Sequence, residues 1–148
     1  QVKRQVIGVF DKKWMKPFAE ALREIDVEHA YIVNSEDGMD EISPFAKTNV
    51  IELNNNKIFE FTIDPNTMGI NLTNKNNLKG KNSLYNANKI LEIFKGKNNE
   101  FSEAVALNAA AGLIVSGKEN DYKNAYLKAK KQLNSGKVHD HLLKLKTL

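Results

Sequence analysis

His29-Ala30-Tyr31-Ile32-Val33-Asn34-Ser35-Glu36-Asp37-Gly38-Met39-Asp40-Glu41-Ile42-Ser43 is the stretch on which the fold turns. Its first six residues, 29–34, read as a buried strand. Open α/β sheets present their ligands on loops at the carboxyl ends of such strands. The loop here contains Gly38, which allows a sharp turn and lets a ligand approach the backbone. Asp40 and Glu41 follow side by side, and two adjacent carboxylates repel unless a cation or solvent compensates them. They form a hard-oxygen pair suited to magnesium, an ion that usually accompanies phosphate chemistry. A blander reading competes: Asp37, Asp40 or Glu41 caps a short helix beginning near Ile42, with Ser43-Pro44 continuing the turn.

The flanking sequence completes the pattern. Residues 6–10 form an apolar strand. Residues 14–25 carry the helical spacing Trp14, Phe18, Ala21, Leu22, Ile25, with Pro17 inside the first turn. A β-α-β unit of this kind implies a parallel crossover. Residues 48–53 and 57–63 read as two strands about Asn54-Asn55-Asn56, because asparagine tolerates left-handed backbone. Ile51, Leu53, Ile58, Phe59, Phe61 and Ile63 supply their buried faces. Asp64-Pro65-Asn66 signals a turn, and residues 69–82 are a polar surface connection. Four helices follow. Ser83 caps residues 84–94, Asn99 or Ser102 opens a helix through Val115, and Asn120 caps one through Leu133. The last carries Val138, Leu142 and Leu145. Residues 102–115 are apolar nearly all round, as in a helix buried between layers. The expectation is one α/β segment over residues 1–148, β-α-β plus hairpin in 1–64 and helical in 83–147. Its sheet is mixed, mainly parallel, and covered by helices in two or three layers.

Composition narrows the class. The 148 residues are 41% hydrophobic and 27% charged, ordinary for a globular domain. There is no cysteine, which excludes disulfides and thiolate metal sites. No apolar run is long enough to span a bilayer, and a cytoplasmic location is the default. The net charge of +4 comes from lysines scattered among asparagines, with no arginine cluster, so no nucleic-acid or membrane partner is expected. The chain starts Gln1-Val2-Lys3-Arg4, without an initiator Met, and enters a core strand at once. An upstream region is therefore expected to have been removed or never made.

Other candidates read as structural. His29 stands at a strand edge, and His139 and His141 form a His-x-His with no third ligand nearby. Ser35, Ser43 and Ser116 lack a nucleophile-elbow context, and neither Gly-x-Gly-x-x-Gly nor a Walker A sequence is present. Trp14 and Phe18 are core or partner-facing aromatics. Asn108, in an apolar helix, is expected to bond to a loop or neighbouring backbone.

Gly38-Met39-Asp40-Glu41-Ile42-Ser43 resembles the Gly-x-Asp-Glu-x-Ser segment of the anthranilate phosphoribosyltransferase family. Asp64-Pro65-Asn66-Thr67-Met68-Gly69, Asn86-Ala87, Leu107-Asn108-Ala109-Ala110-Ala111 and Ser135-Gly136 are similar to further segments of that family, in order. The resemblance implies transfer of phosphoribosyl from phosphoribosyl pyrophosphate to anthranilate, in tryptophan biosynthesis, by a magnesium-dependent homodimer. It implies that Asp40 and Glu41 hold the magnesium, and it places no other catalytic or substrate-binding residue in this chain. The family's Gly-Thr-Gly-Gly-Asp loop, its Lys-His-Gly-Asn segment and its anthranilate-binding arginine are absent, as is its helical domain. The resemblance thus implies the C-terminal part of a nucleoside phosphorylase/phosphoribosyltransferase-type α/β domain, inactive by itself. A pyrimidine nucleoside phosphorylase-like enzyme and a non-catalytic binding module of the same fold are the alternatives.

Overall fold

Strand β2, His29–Ser35, is buried from its second residue to its last. A strand inaccessible on both faces needs a layer on each side, and it has both. The computed structural model describes residues 2–147; Gln1 and Leu148, the ends of the expected segment, lie outside the described residues. β1 (Arg4–Gly8) pairs with β2 in parallel, with Val6 opposite Tyr31. β3 (Thr48–Asn54) and β4 (Lys57–Ile63) extend the other side, each antiparallel to its neighbour. The order is β1-β2-β3-β4. The sheet is mixed, as expected. Among the described strands the balance tilts toward antiparallel, because only β1 and β2 are joined by a helical crossover, whereas a hairpin imposes opposite directions.

Alternation along the strands sorts the core. Tyr31, Val33, Val50 and Ile63 pack toward α3 (Glu100–Val115) and α4 (Tyr122–Asn134). Ala30, Ile32, Ile51 and Leu53 pack toward α1 (Met15–Glu24). The β3–β4 turn is the asparagine turn expected: Asn55 and Asn56 both have positive φ, 47° and 68°, which a two-residue hairpin loop requires. Phe59 is 51% exposed, against the expectation that it is buried, because β4 is an edge strand.

α1 buries a different face from the one its largest residues suggest. Met15, Ala19 and Leu22 face the sheet, while Trp14, Phe18 and Ile25 are 41%, 42% and 51% exposed. The stripes share the same spacing. Ala19, fully buried, lets the helix sit close on β2 and β3, which a bulky residue there would prevent.

The helix starts also shift by a residue. α2 (Ser83–Phe94) is capped by Asn82, not Ser83, and α4 by Asp121, not Asn120; each side chain accepts a backbone N–H of the first turn. Asn99 and Ser102 both serve α3, in a reciprocal capping box. α5 (Lys137–Leu145) closes the chain. α3 lies between the β1–β2 side of the sheet and α4, as its all-round apolarity indicates.

One polar cluster joins α3 to α4. Tyr126 Oη donates to Glu103 Oε2 at 2.5 Å, and Lys130 Nζ donates to Glu103 Oε1 at 2.6 Å and to Tyr126 Oη at 3.1 Å. Burial, then the Glu103 hydrogen bond, raises the Tyr126 phenol above its ordinary 10.0. Burial works against the Lys130 ammonium, but its bonds to Glu103 and Tyr126 outweigh that and raise it above 10.5. Both groups hold their protons more tightly folded than unfolded. Their contribution is therefore complete below about pH 10 and is lost as pH rises beyond it. Thermal unfolding across that range should show a declining midpoint, with a smaller decline in Tyr126→Phe and in Lys130→Met.

Candidate functional site

The loop after β2 depends on two glycines, one within it and one beneath it, that are needed for opposite reasons. Gly38 has φ 88° with open space around the position of a Cβ, so its backbone conformation is what requires glycine. Gly8, at the end of β1, needs no special φ, but a Cβ there would lie 1.5 Å from the Asp40 carbonyl oxygen. The loop folds directly over Gly8. Gly38 N–H donates to Ser35 O at 3.0 Å and Ser35 N–H donates to Met39 O at 2.9 Å, closing the turn.

Buried hydroxyls hold the loop from below. Ser35 Oγ donates to Glu41 O at 2.9 Å and lies 2.5 Å from Thr48 Oγ1. Ser43 N–H donates to both of those hydroxyl oxygens, at 3.2 and 3.1 Å. Ser35, Ser43 and Thr48 are at most 2% exposed, so these bonds are shielded from competing water.

The three acids of the loop separate in role. Asp37 is engaged: Oδ2 accepts from Ser43 Oγ at 2.9 Å and Oδ1 from Met39 N–H at 3.4 Å. Asp40 and Glu41 are exposed, and among the described residues no side chain or backbone group bonds to either carboxylate. No helix begins at Ile42, since residues 41–47 are irregular, so the helix-capping reading is overturned. Both residues line a cleft of about 800 Å3 between the loop, the ends of β1 and β2, and α3, together with Gly8, Met39, Phe101 and Asn108.

The donor set fits magnesium. The two free carboxylates offer hard oxygens, and no cluster of three or more His, Cys, Asp or Glu able to hold a metal occurs among the described residues. Magnesium usually takes one or two carboxylates and completes its shell with water and substrate phosphate oxygens.

The remaining candidates are placed elsewhere. His29 Nε2 lies 2.7 Å from Glu52 Oε1 and packs edge-on against Tyr31, a structural arrangement at the start of β2, the strand end opposite the loop. His139 and His141 lie on α5, half-buried and exposed. Ser116 Oγ donates to Leu113 O at the end of α3. Asn108 reaches the loop, bonding Ile42 N–H and C=O and also Ala104 O. Sequence reasoning missed Gly8, although a glycine ending a strand is itself a sign of close backbone approach.

Comparison with known proteins places the chain by family and fold. A family described as "Glycosyl transferase family, a/b domain" matches residues 1–139. An anthranilate phosphoribosyltransferase of Pelagibacter ubique is 52% identical over 147 residues, 99% of this chain and 44% of that protein. One from Methanosarcina acetivorans is 43% identical over 92% of this chain and 36% of its own length. The crystal structure of the Thermus thermophilus anthranilate phosphoribosyltransferase matches with TM-score 0.83 and 29% identity, over 93% of this chain and 40% of that one. The Saccharomyces cerevisiae enzyme in complex with PRPP and Mg shares the fold, with TM-score 0.81 at 23% identity, over the same shares. The chain thus spans less than half the length of these relatives.

Gly8→Ala should destabilise the chain by roughly 1–3 kcal/mol, because the loop must move off β1 to admit the methyl group. Chemical denaturation of the two proteins checks this, and equal midpoints would show that the loop has room the structure does not record.

Proposed function

We propose a function from this premise: the chain belongs to the glycosyl transferase family, through its a/b domain. It is the C-terminal part of the α/β domain of an anthranilate phosphoribosyltransferase, an enzyme of tryptophan biosynthesis. The observation that carries the reading is the pair of unpartnered carboxylates, Asp40 and Glu41, on a loop fixed at the carboxyl end of β2. The 52% identity to an anthranilate phosphoribosyltransferase supports the choice of substrates. The yeast enzyme's complex with PRPP and Mg supports the choice of metal.

In the complete enzyme the amine of anthranilate bonds to the ribose carbon as the bond from that carbon to the pyrophosphate oxygen breaks. The electron pair leaves with pyrophosphate, and the amine proton passes to solvent. Magnesium held on the pyrophosphate neutralises the charge that builds there. Asp40 and Glu41 hold that ion from the protein side. Hydrogen bonds from Ser35 and Asn108 hold the backbone of their loop, which limits the reorganisation needed as charge develops. The chain supplies no general acid or base of its own to the step. Its contribution is position and field. The homodimer and cytoplasmic setting implied by the family resemblance are part of the same proposal.

In the complete enzyme, Asp40→Asn and Glu41→Gln should lower turnover at limiting magnesium, with recovery as magnesium rises. Rates equal to the parent across a magnesium titration would overturn the assignment. The 148-residue chain alone should show no transfer of phosphoribosyl to anthranilate, because it lacks the Gly-Thr-Gly-Gly-Asp and Lys-His-Gly-Asn segments. Measurable turnover by the purified chain would contradict this.

A further inference from the structure

Asn108 is a polar residue in the middle of a helix whose other cleft-lining residues, Phe101, Ala104, Val105 and Ala109, are apolar. Asparagine is a poor mid-helix residue, and a half-buried amide needs partners. It has three. Nδ2 donates to Ala104 O, one turn back, at 2.9 Å, which fixes the side chain along its own helix. Nδ2 also donates to Ile42 O at 3.0 Å, and Oδ1 accepts from Ile42 N–H at 3.0 Å. The amide therefore brackets both backbone groups of one residue, 66 positions away, as a neighbouring strand would.

That residue follows Glu41. The peptide joining Glu41 to Ile42 has its carbonyl held by Ser35 Oγ at 2.9 Å and its N–H held by Asn108 Oδ1 at 3.0 Å. The carbonyl before it, that of Asp40, rests on Gly8. Two successive peptide planes are thus fixed from β1, β2 and α3: the Glu41 side chain leaves the backbone between them, and the Asp40 side chain leaves just before the first, after the Met39 carbonyl that Ser35 N–H holds at 2.9 Å. Ile42 itself is fully buried, which anchors the far end.

We infer that Asn108 is a positioning residue: it clamps the Ile42 backbone so that Asp40 and Glu41 present their carboxylates in a fixed, metal-ready arrangement. The inference rests on the proposed magnesium role of that pair. Asn108 touches neither metal nor substrate, and it acts through the loop as an outer-shell partner acts on a ligand.

The test uses the complete enzyme with Asn108→Ala and Asn108→Asp, and Leu133→Ala as a core change in α4 away from the loop. Asn108→Asp keeps an acceptor for Ile42 N–H but loses the donor to Ile42 O, and so covers the case in which Asn108→Ala does not fold. Two readouts are taken: amide hydrogen exchange at Ile42 in the metal-free protein, and the dissociation constant of Mn2+ with phosphoribosyl pyrophosphate, followed by electron paramagnetic resonance. The expected result is faster Ile42 exchange in Asn108→Ala, where the acceptor for its N–H is lost, and a Mn2+ constant raised about 10- to 100-fold in both Asn108 variants. Leu133→Ala should lower the thermal midpoint and leave the Mn2+ constant alone. An unchanged Mn2+ constant in the Asn108 variants, with Asp40→Asn weakening Mn2+, overturns the positioning role and leaves the metal assignment standing. An unchanged constant in Asp40→Asn overturns both.

Discussion

The burial of β2 on both faces is the constraint from which the rest follows. Every residue from Ala30 to Ser35 is inaccessible, and the two core clusters meet on this strand. Its alternate side chains commit α1 to one side and α3 with α4 to the other. A one-residue slip would exchange Tyr31 and Val33 for Ala30 and Ile32 and mismatch both layers at once. Position at the strand's end is therefore defined to within a residue. That definition passes through Ser35 to the loop that follows.

The loop uses polar groups where the strand uses apolar ones. Ser35, Ser43 and Thr48 bond to one another and to the backbone of Glu41, with no water needed and no buried side-chain polar atom left without a partner among the described residues. Asp37 directs its charge to Ser43 and Met39. Three acids in five positions are thus divided into one that builds the loop and two that the loop displays. This division is why a run of acids, common in any surface loop, becomes specific here.

Much of the architecture could be read from the sequence because it rests on local rules. Strands β2, β3 and β4, the asparagine turn at 54–56, the glycine at 38 and the helix-opening role of Asn99 and Ser102 each follow from backbone preferences of the residues themselves, whereas β1, expected at residues 6–10, is Arg4–Gly8 and leaves Phe10 76% exposed. The reading lost precision where two local choices are nearly equal. Asn82 and Ser83 can both cap a helix, as can Asn120 and Asp121, and the chain uses the first of one pair and the second of the other. On α1, two stripes of equal spacing compete, and periodicity ranks them by apolar bulk, whereas packing ranks them by fit to β2 and β3.

By itself the sequence determined an α/β segment, its β2 strand, and a displayed Asp40-Glu41 pair, since strand burial, turn chemistry and carboxylate chemistry are properties of residues and their near neighbours. Packing alone turned Met15 and Ala19 of α1 inward beside the expected Leu22, laid Gly8 as the floor beneath Asp40, and brought Asn108 onto Ile42. These depend on which backbone atoms arrive side by side from positions 32 and 66 residues apart. No local preference encodes that meeting; it exists only once β1, β2 and α3 have packed.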